Sequence, residues 1–577
     1  MAEEPNEEQQ ALLVPSEVED IKRESNHLRL TVKETLESDA SHFSEEEYQI
    51  LKFHGVYQQE DRDKRAIARK EGRDKEWIMM IRAKIPGGVL SADQYIAFDD
   101  IATRYANDTL RATTRQCFQL HYVSKGELRD TIKSINDAMI TTLGACGDVE
   151  RNLMACPAPD KRGAISEVQR YAKLLSDETL PQTRAYHEIW IDHEKVYSNE
   201  PEVEPLYGDL YLPRKFKSAL VVEGDNCIDV YSNDIGMVAH IGDGKLEGFT
   251  FLVGGGMGMT HTDKNTRPRV ADPICFVEPD ELLPTFLSIL KVQRDHGNRY
   301  SRRQARLKYL IANNGLDRFK RAMESWVGHR LAEPRELAWP DTHDHLGWHE
   351  QHDGTSYLGV WIENGRIQDT ETVRMKTGFR ALVEKYKPGL VLTAQQNILF
   401  TDINPADRAS VEELLRGYGV PLVGEYSNAL RYSMACPAVP TCGLALAESE
   451  RALPNVVRRI EAVLSELGLE NERMSIRMTG CPNGCARPYL GDIGFVGRTI
   501  GRYQMYVGGD FEGTRLGKVL EDIVKGDELP ERLRPLFTMY RDEREKGEGF
   551  GDFCNRIGIP RLHAASFPEK QLTVAAR

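Results

Sequence analysis

The sequence has no apolar run long enough to cross a membrane. Its longest apolar stretches, such as FTFLVGG and GLVLTA, are far shorter than the roughly 18 to 20 residues that a transmembrane helix requires. The first ten residues, MAEEPNEEQQ, are acidic, whereas a secretory signal begins with basic residues and continues with apolar ones. We therefore expect a cytoplasmic protein that is neither secreted nor inserted in a membrane.

Cysteine and net positive charge are also scarce. The 577 residues include ten cysteines spread along the chain, too few for a disulfide framework, so the thiols are expected to stay reduced. The formal net charge is -14, which argues against a nucleic-acid-binding surface. The length suffices for roughly three or four domains with hydrophobic cores of their own.

Four of the ten cysteines form two compact pairs. CPAVPTC holds Cys436 and Cys442 with five residues between them, and CPNGC holds Cys481 and Cys485 with three. Thiolates at this density bind either one tetrahedral zinc ion or an iron–sulfur cluster. The five-residue spacer favours the bulkier cluster, and the prolines and Gly484 predict turns whose N–H groups point at sulfur. A zinc site and four ordinary buried thiols are the alternatives.

The chain also contains an internal repeat. RNLMACPAPDKRG matches RYSMACPAVPTCG, and, upstream of these, TTRQCFQL matches TAQQNILF. Both matches are 280 positions apart, which indicates a duplicated module of about half the chain. In the first copy Arg162 takes the place of Cys442, so Cys156 lacks a nearby partner and is interpreted as a small buried hydrophobe.

Each repeat is predicted to be α+β. WIMMIRAKI and TTRQCFQLHYV alternate like strands, and LSADQYIAFDDIATRYA between them has helical spacing with Ser91 as its N-cap. The second copy repeats this order with TGFRALVEKYK and GLVLTAQQNILFT. Residues 1 to about 70 are acidic and partly amphipathic. We interpret them as an arm that wraps the core or docks a partner, and a disordered tail is the alternative.

Lysines cluster in one predicted sheet segment. In LPRKFKS, Lys215 and Lys217 lie two residues apart and would share one face of a strand, opposite Arg214 and Phe216. Two neighbouring ammonium groups repel each other unless an anion lies between them. The segment therefore predicts an anion-binding site.

Further cations accompany this lysine pair. RAKIPGG places Arg82 and Lys84 in the same relation, and Arg111, Arg115 and Arg151 lie near the repeat signatures. Each alone is more simply a solvated surface residue. Together they favour a polycarboxylate cofactor and a small oxyanion substrate, because arginine binds carboxylates bidentately and lysine donates a proton when its pKa is lowered.

The cysteine pattern, the duplication and LPRKFK together resemble the family of sirohaem and 4Fe–4S sulfite and nitrite reductases. Within that family the sequence is most similar to the haemoprotein (beta) subunits of the assimilatory, NADPH-dependent branch. The resemblance covers nearly the whole chain, including ESNHLR and FHGVYQQEDRDKR near the start, LVGGGMG and QRDHGNR in the middle and EGFGDF near the end. The cysteine set is its most specific part.

The resemblance implies an α+β, internally duplicated, pseudo-twofold architecture with ferredoxin-like half-domains and two α/β domains that bind sirohaem and the cluster. It implies a partner-docking arm over residues 1–70 and paired half-domains over 71–145 and 350–425. A first sirohaem-binding domain with a degenerate cluster site would span 146–349, and a second domain carrying the cluster would span 426–577.

The resemblance also implies roles for single residues. The 4Fe–4S cluster would be held by four thiolates, those of Cys436, Cys442, Cys481 and Cys485, and Cys485 would also bridge to the sirohaem iron. Sulfite would be bound and supplied with protons by Arg82, Arg151, Lys215 and Lys217. The macrocycle and its carboxylates would lie near Arg111, Arg115, Arg214, Arg306 and Asn483.

The activity implied by the resemblance is six-electron reduction of sulfite to sulfide. Nitrite-reducing relatives tend to carry asparagine at the second lysine of LPRKFK, so Lys217 favours sulfite. No G-x-G-x-x-G lies between a predicted strand and a helix, so NADPH is expected to bind another protein. The resemblance implies that this partner is a flavoprotein subunit with FAD and FMN. A ferredoxin-dependent sulfite or nitrite reductase is the alternative, and a zinc-stabilised anion-binding protein is the hypothesis from a different class.

Overall fold

The computed structural model describes residues 14–159, 164–182, 188–191, 194–198, 204–340 and 342–570. The strands in the described residues are β1 (Val56–Glu60), β2 (Trp77–Arg82), β3 (Val89–Leu90), β4 (Leu110–Ala112), β5 (Phe118–Val123), β6 (Met154–Ala155), β7 (Glu188–Ile191), β8 (Glu194–Ser198), β9 (Ser218–Val222), β10 (Ile235–Gly242), β11 (Lys245–Val253), β12 (Asp272–Val277), β13 (Gly347–Glu350), β14 (Ser356–Val360), β15 (Arg366–Ile367), β16 (Gly389–Leu392), β17 (Ile398–Ile403), β18 (Ser433–Ala435), β19 (Ile476–Thr479), β20 (Ile493–Thr499), β21 (Arg502–Val507) and β22 (Lys518–Lys525).

The α-helices of the same residues lie on and between these strands. They are α1 (Glu17–Glu24), α2 (Val32–Glu37), α3 (Glu45–Leu51), α4 (Arg65–Lys70), α5 (Ala92–Tyr105), α6 (Leu128–Asp137), α7 (Ala164–Glu178), α8 (Leu282–His296), α9 (Leu307–Asn314), α10 (Leu316–Val327), α11 (Met375–Tyr386), α12 (Arg408–Gly417), α13 (Asn428–Arg431), α14 (Leu453–Leu467), α15 (Leu529–Glu543), α16 (Phe550–Ile557) and α17 (Ile559–Ser566). None of the described helices combines the length and the apolar character that crossing a bilayer demands.

Two five-stranded sheets exchange strands between the two halves of the chain. One has the order β1-β2-β5-β4-β15 and the other the order β13-β14-β17-β16-β3. In the first sheet Ile367 of β15 pairs with Leu110, and in the second Leu90 of β3 pairs with Leu390. Because each half supplies an edge strand to the other, the two sheets share one apolar core.

Two further five-stranded sheets have matching topology. Strands β6, β9 and β10 are parallel neighbours, and β11 and β12 continue antiparallel. Strands β18, β19 and β20 are likewise parallel, followed by antiparallel β21 and β22. Ser218 pairs with Ile235 as Ile476 pairs with Ile493, so the two sheets can be aligned residue by residue. The internal repeat predicted from the sequence is therefore a structural duplication.

Local sequence signals account for most of these elements. Helix α5 begins after Ser91, whose side chain accepts a hydrogen bond from Gln94 N–H in a capping box, as predicted. The strand predicted over TTRQCFQLHYV begins only at Phe118, because Gln116 has φ of 51° and the preceding residues form a turn. This turn, and no strand, carries Arg115.

The segment before β9 is extended without belonging to a sheet. Phe216 forms an isolated bridge with Glu150 and is buried, whereas Lys215 and Lys217 on either side are half-buried. The alternation predicted for this segment is therefore present. The sheet itself starts one residue later, at Ser218.

The described part of the N-terminal segment packs on the core. Strand β1 pairs with β2, and the ammonium of Lys22 is buried 2.6 Å from Glu19. Arg299 also pairs with Glu19. A disordered tail is therefore wrong for residues 14–70, while residues 1–13 lie outside the described residues and partner docking stays a prediction.

Candidate cofactor and active site

The four paired cysteines come together at one edge of the second duplicated sheet. Cys436 directly follows β18, and Cys481 and Cys485 lie in the loop after its parallel neighbour β19. Parallel strands end at the same edge, so the two loops meet there. Burial and then Cys485 and Cys442 raise the pKa of Cys481 to about 12, and burial with Cys485 raises the pKa of Cys442. The four sulfurs therefore share one neighbourhood.

The spacing of these sulfurs fits a cluster better than a single ion. Among the described residues, no three of the four lie within 4.8 Å of one another, whereas thiolates about 2.3 Å from one tetrahedral zinc lie about 3.8 Å apart. A 4Fe–4S cube places iron atoms between its thiolates and so separates the thiolates more widely. The predicted zinc alternative is disfavoured at this site.

Polar donors surround the sulfurs, as iron–sulfur sites require. Gly480 N–H donates to Cys436 Sγ at 3.3 Å, and Asn483 Nδ2 lies 3.4 Å from Cys481 Sγ. Gly484 has φ of 62°, and a Cβ there would meet the ring of Tyr489 at 2.7 Å. Glycine is therefore required for the loop to turn within the cysteine pair.

The N-terminal segment supports the Cys442 loop from outside. The guanidinium of Arg62 donates to the carbonyl oxygens of Cys442 at 3.2 Å and Ala445 at 2.6 Å. The backbone N–H of Arg62 also donates to Pro440 O. Residues near position 62 thus contribute directly to the geometry of the thiols.

Cys485 is the one exposed thiol of the four, and it faces a group of cations. It is among the groups that raise the pKa of Arg82, although burial opposes that rise. Burial and neighbouring cations lower the pKa of Lys215 and Lys217, and Cys485 acts in the other direction by raising it. Cys485 therefore interacts electrostatically both with the other thiols and with the cationic site.

Five cations of this site have no carboxylate within 4.0 Å among the described residues. They are Arg82, Arg115, Arg151, Lys215 and Lys217. The three guanidiniums donate to neutral acceptors: Arg82 Nη1 to Cys146 Sγ at 2.8 Å, Arg115 Nη1 to Asn233 Oδ1 at 2.8 Å and Arg151 Nε to Gly147 O at 3.1 Å. Because uncompensated charge in a buried place is unfavourable by several kcal/mol, this group predicts an anionic ligand.

The pKa values of the two lysines are lowered. Burial first, and then Arg214, Arg151 and Arg306, lower the pKa of Lys215 to about 7 against the opposing effect of Cys485. Burial, then Arg115 and Lys215, lowers the pKa of Lys217 well below its ordinary value. Lys215 can therefore give up a proton near neutral pH, and Lys217 gives up its proton more readily than an ordinary lysine.

The other predicted macrocycle residues lie nearby, but three of them are already paired with carboxylates. Arg111 pairs with Glu450 and donates to Ala435 O at 2.8 Å. Arg214 lies 3.9 Å from Asp148, and Arg306 pairs with Asp234. Their contact with a macrocycle, like that of Asn483, stays a prediction.

Sequence reasoning missed several residues of the site. Lys308 lies two residues after Arg306, as Lys217 follows Lys215, and donates to Gly258 O at 2.7 Å. The carboxylate of Glu150 is buried beside Lys84, and burial raises its pKa to about 7. The i, i+2 spacing could have indicated Lys308, whereas Glu150 is brought close only by the fold.

The first copy of the cluster site also differs from the expectation. Cys156 Sγ lies 3.8 Å from Cys227 Sγ, and Val222 N–H donates to Cys156 Sγ at 3.3 Å. The expectation that Cys156 lacks a nearby thiol partner is therefore wrong, because a thiol 71 positions away in the chain supplies one. Arg162 lies outside the described residues.

Two protein-family models match this chain. Residues 171–331 and 426–572 match the model of the nitrite and sulphite reductase 4Fe-4S domain, and 70–138 and 349–418 match that of the nitrite/sulfite reductase ferredoxin-like half domain. The second 4Fe-4S match contains all four paired cysteines.

The chain belongs to the nitrite and sulfite reductase family.

Its curated relatives align over nearly their whole length. The NADPH sulfite reductase hemoprotein beta-component of Anoxybacillus flavithermus is 45% identical over 94% of this chain and 96% of its own. The ferredoxin sulfite reductase of Synechococcus elongatus is 44% identical over 96% of this chain and 91% of its own. The solved structure of Mycobacterium tuberculosis NirA protein has a TM-score of 0.75 at 23% identity and covers 95% of this chain and 98% of its own. The predicted α+β, internally duplicated fold is confirmed.

Proposed function

We propose that this family member is the catalytic subunit of an assimilatory sulfite reductase, which reduces sulfite to sulfide with six electrons. The observation that carries the proposal is the juxtaposition of exposed Cys485 with five cations that lack carboxylate partners. A thiol that belongs to a four-sulfur set and also borders an anion site can connect an electron store to a bound oxyanion.

The residues fit both cofactors of the proposal. Cys436, Cys442, Cys481 and Cys485 would hold the cluster, which is supported by their loops meeting at one sheet edge and by the donors of Gly480 and Asn483, which suit cluster sulfur. Cys485 would be the shared ligand of the cluster and the sirohaem iron. When bound, the two cofactors supply electrons to the sulfur of the substrate.

The lysines and arginines supply charge and protons. Each S–O bond that breaks leaves an oxygen that must take up protons to depart as water. Lys215, whose pKa burial and neighbouring arginines lower to about 7, and Lys217, whose pKa burial and neighbouring cations lower well below its ordinary value, can supply protons, while Arg82 and Arg151 orient the anion. Lys217, the second lysine of LPRKFK, favours sulfite over nitrite as the substrate.

The electron donor is proposed to be a separate flavoprotein with FAD and FMN that takes electrons from NADPH. The NADPH hemoprotein beta-components among the relatives support this choice, and the ferredoxin enzyme of Synechococcus elongatus supports ferredoxin as the alternative. Removal of residues 1–13 tests the first part of the arm without removing Arg62 or β1. Weaker association with the flavoprotein supports docking through these thirteen residues, and unchanged association excludes them as the docking site.

The activity itself is tested with purified protein and a chemical reductant, which makes the result independent of the donor. We expect a green-brown protein with a Soret band and a red absorption band, and reduced methyl viologen should be oxidised on addition of sulfite with release of sulfide. A colourless protein, or oxidation without sulfide, contradicts the proposal. Nitrite in place of sulfite, assayed for ammonia, measures the competing activity.

A further inference from the structure

Three metal-ligating side chains meet in the first copy of the duplicated fold. One carboxylate oxygen of Asp225, the thiol of Cys227 and one imidazole nitrogen of His345 lie within 4.8 Å of one another. In the described residues no other group of three such side chains is this close. Asp225 and Cys227 come from the loop after β9, whereas His345 comes from the segment before β13.

This cluster lies where the other copy holds its four thiols. Cys227 follows Ser218 by nine residues, as Cys485 follows Ile476, and Ser218 and Ile476 have equivalent pairing in their sheets. Cys156 directly follows β6 as Cys436 directly follows β18. The first copy therefore keeps two of the four thiol positions, and adds an imidazole and a carboxylate.

The spacing of this group suits one ion, because the ligand atoms of Asp225, Cys227 and His345 lie within 4.8 Å of one another. Cys156 Sγ lies 3.8 Å from Cys227 Sγ but is not within 4.8 Å of all three ligand atoms. The four thiols of the second copy are spaced too widely for one ion. The two copies thus differ in the size of the object that they can hold.

One buried nitrogen of the His345 imidazole lacks a hydrogen-bond partner among the described residues. The side chain is 11% exposed, and Nε2 lies 3.4 Å from Asp225 Oδ2 but makes no hydrogen bond among the described residues. His345 has φ of 59°, and the preceding Asp344 is fixed by Arg431 and by Leu346 N–H. Asp225 in turn accepts from His343 N–H at 3.1 Å. A buried, unsatisfied nitrogen beside a thiol and a carboxylate is the arrangement of a metal ligand.

We propose that Asp225, Cys227 and His345 bind one zinc ion. Imidazole, thiolate and carboxylate together are typical ligands of zinc. The ion would connect the loop after β9 to the segment that leads into the second half of the chain. It would have a structural role in the copy that has lost the iron–sulfur cluster.

The test measures metal in the intact holoprotein. After incubation with a small excess of Zn²⁺ and dialysis, elemental analysis should find about one zinc per chain beside the iron, and zinc-edge X-ray absorption should show sulfur at about 2.3 Å and nitrogen or oxygen at about 2.0 Å. Cys227→Ser and His345→Gln should each reduce retained zinc at least about tenfold, with iron and acid-labile sulfide unchanged.

Matched controls separate the site from general loss of thiol or imidazole. Cys275→Ser removes another buried thiol of the same half, and His343→Gln changes the imidazole two residues from His345; both should retain zinc. If Cys227→Ser lowers iron as well, His345→Gln decides. No zinc in the wild-type protein, a Cys156–Cys227 disulfide in its place, or equal zinc in His345→Gln overturns the proposal and leaves the proposed sulfite reduction untouched.

Discussion

The two copies of the duplicated fold have the same strand order but differ in whether their cations are paired with carboxylates. In the first copy the cations before β6 and β9, Arg151, Lys215 and Lys217, have no carboxylate partner among the described residues. At the equivalent places before β18 and β19 the second copy has Arg431, Arg473 and Ser475. Arg473 donates to the carbonyl oxygen of Thr342 at 2.7 Å. Arg431 is paired with Asp344.

Further arginines of the second copy are also paired with a carboxylate. Arg477 and Arg487 both pair with the buried Asp229. Arg431 and Arg477 border a cleft of about 30 Å³, which Asp229 also lines. The equivalent of Arg115 is the uncharged Gln395. The same strand order therefore forms an anion site in the first copy, where the cations are unpaired. In the second copy it forms an interior in which arginines are neutralised by carboxylates.

Removal of one cluster thiol should give the largest difference between the two copies. Cys436→Ser should abolish acid-labile sulfide and sulfite turnover, because a cubane with a missing ligand next to Cys485 cannot be held in place. The matched change in the other copy, Cys156→Ser, should keep both. Iron and sulfide analysis of the two variants checks this. Loss of the cluster in both variants alike would contradict the distinction between the copies.

Lys217→Ala should have the next largest effect. Losing a positioned acid lowers turnover by about 10²-fold or more, while iron and sirohaem content should be unchanged. Ser475→Ala, at the equivalent place, should change turnover less than about twofold. The measurement is sulfite-dependent sulfide formation per haem. If turnover and cluster content fall together in Lys217→Ala, the lysine acts in folding and not in catalysis.

Asp229→Asn tests the neutralised interior. It would leave Arg477 and Arg487 buried without a counter-charge and should destabilise the fold by about 3 kcal/mol. Asp137→Asn breaks an exposed pair with Lys133 and should change stability by less than about 1 kcal/mol. Thermal or denaturant unfolding measures both. Equal effects of the two substitutions would mean that Asp229 does not neutralise this interior.

The smallest effect concerns pH. Lys215 has a pKa lowered to about 7, chiefly by burial, so its ammonium is charged below pH 7 and loses its charge as pH rises through this value. Sulfite KM should therefore rise above pH 7, by roughly fivefold for about 1 kcal/mol of lost ion pairing. Lys215→Arg keeps its charge at all these pH values. The ratio of KM between wild type and variant cancels the titration of sulfite itself, and a ratio independent of pH would contradict the role of Lys215.

Local sequence patterns predicted the features that are set by residues close together in the chain. The spacing of Cys436 with Cys442 and of Cys481 with Cys485, the Ser91 cap and the alternation around Phe216 all follow from short-range geometry. The repeat predicted the duplication, because two distant matches had the same offset.

Long-range contacts could not be predicted in this way. The pairing of Arg111 with Glu450, 339 positions apart, and the approach of Cys227 to Cys156 arise only when strands from different parts of the chain adjoin. The exchange of edge strands β3 and β15 is equally invisible to local periodicity. Which cations stay unpaired was therefore known only from the structure.

Cys485, beside the unpaired cations, would be the shared ligand of the four-sulfur cluster and the sirohaem iron. Iron and acid-labile sulfide analysis of freshly purified, anaerobically handled protein tests this role most directly. We predict about five iron atoms and four sulfides per chain, four of the irons in the cluster and one in the macrocycle. A fully folded protein without iron or sulfide would contradict the account.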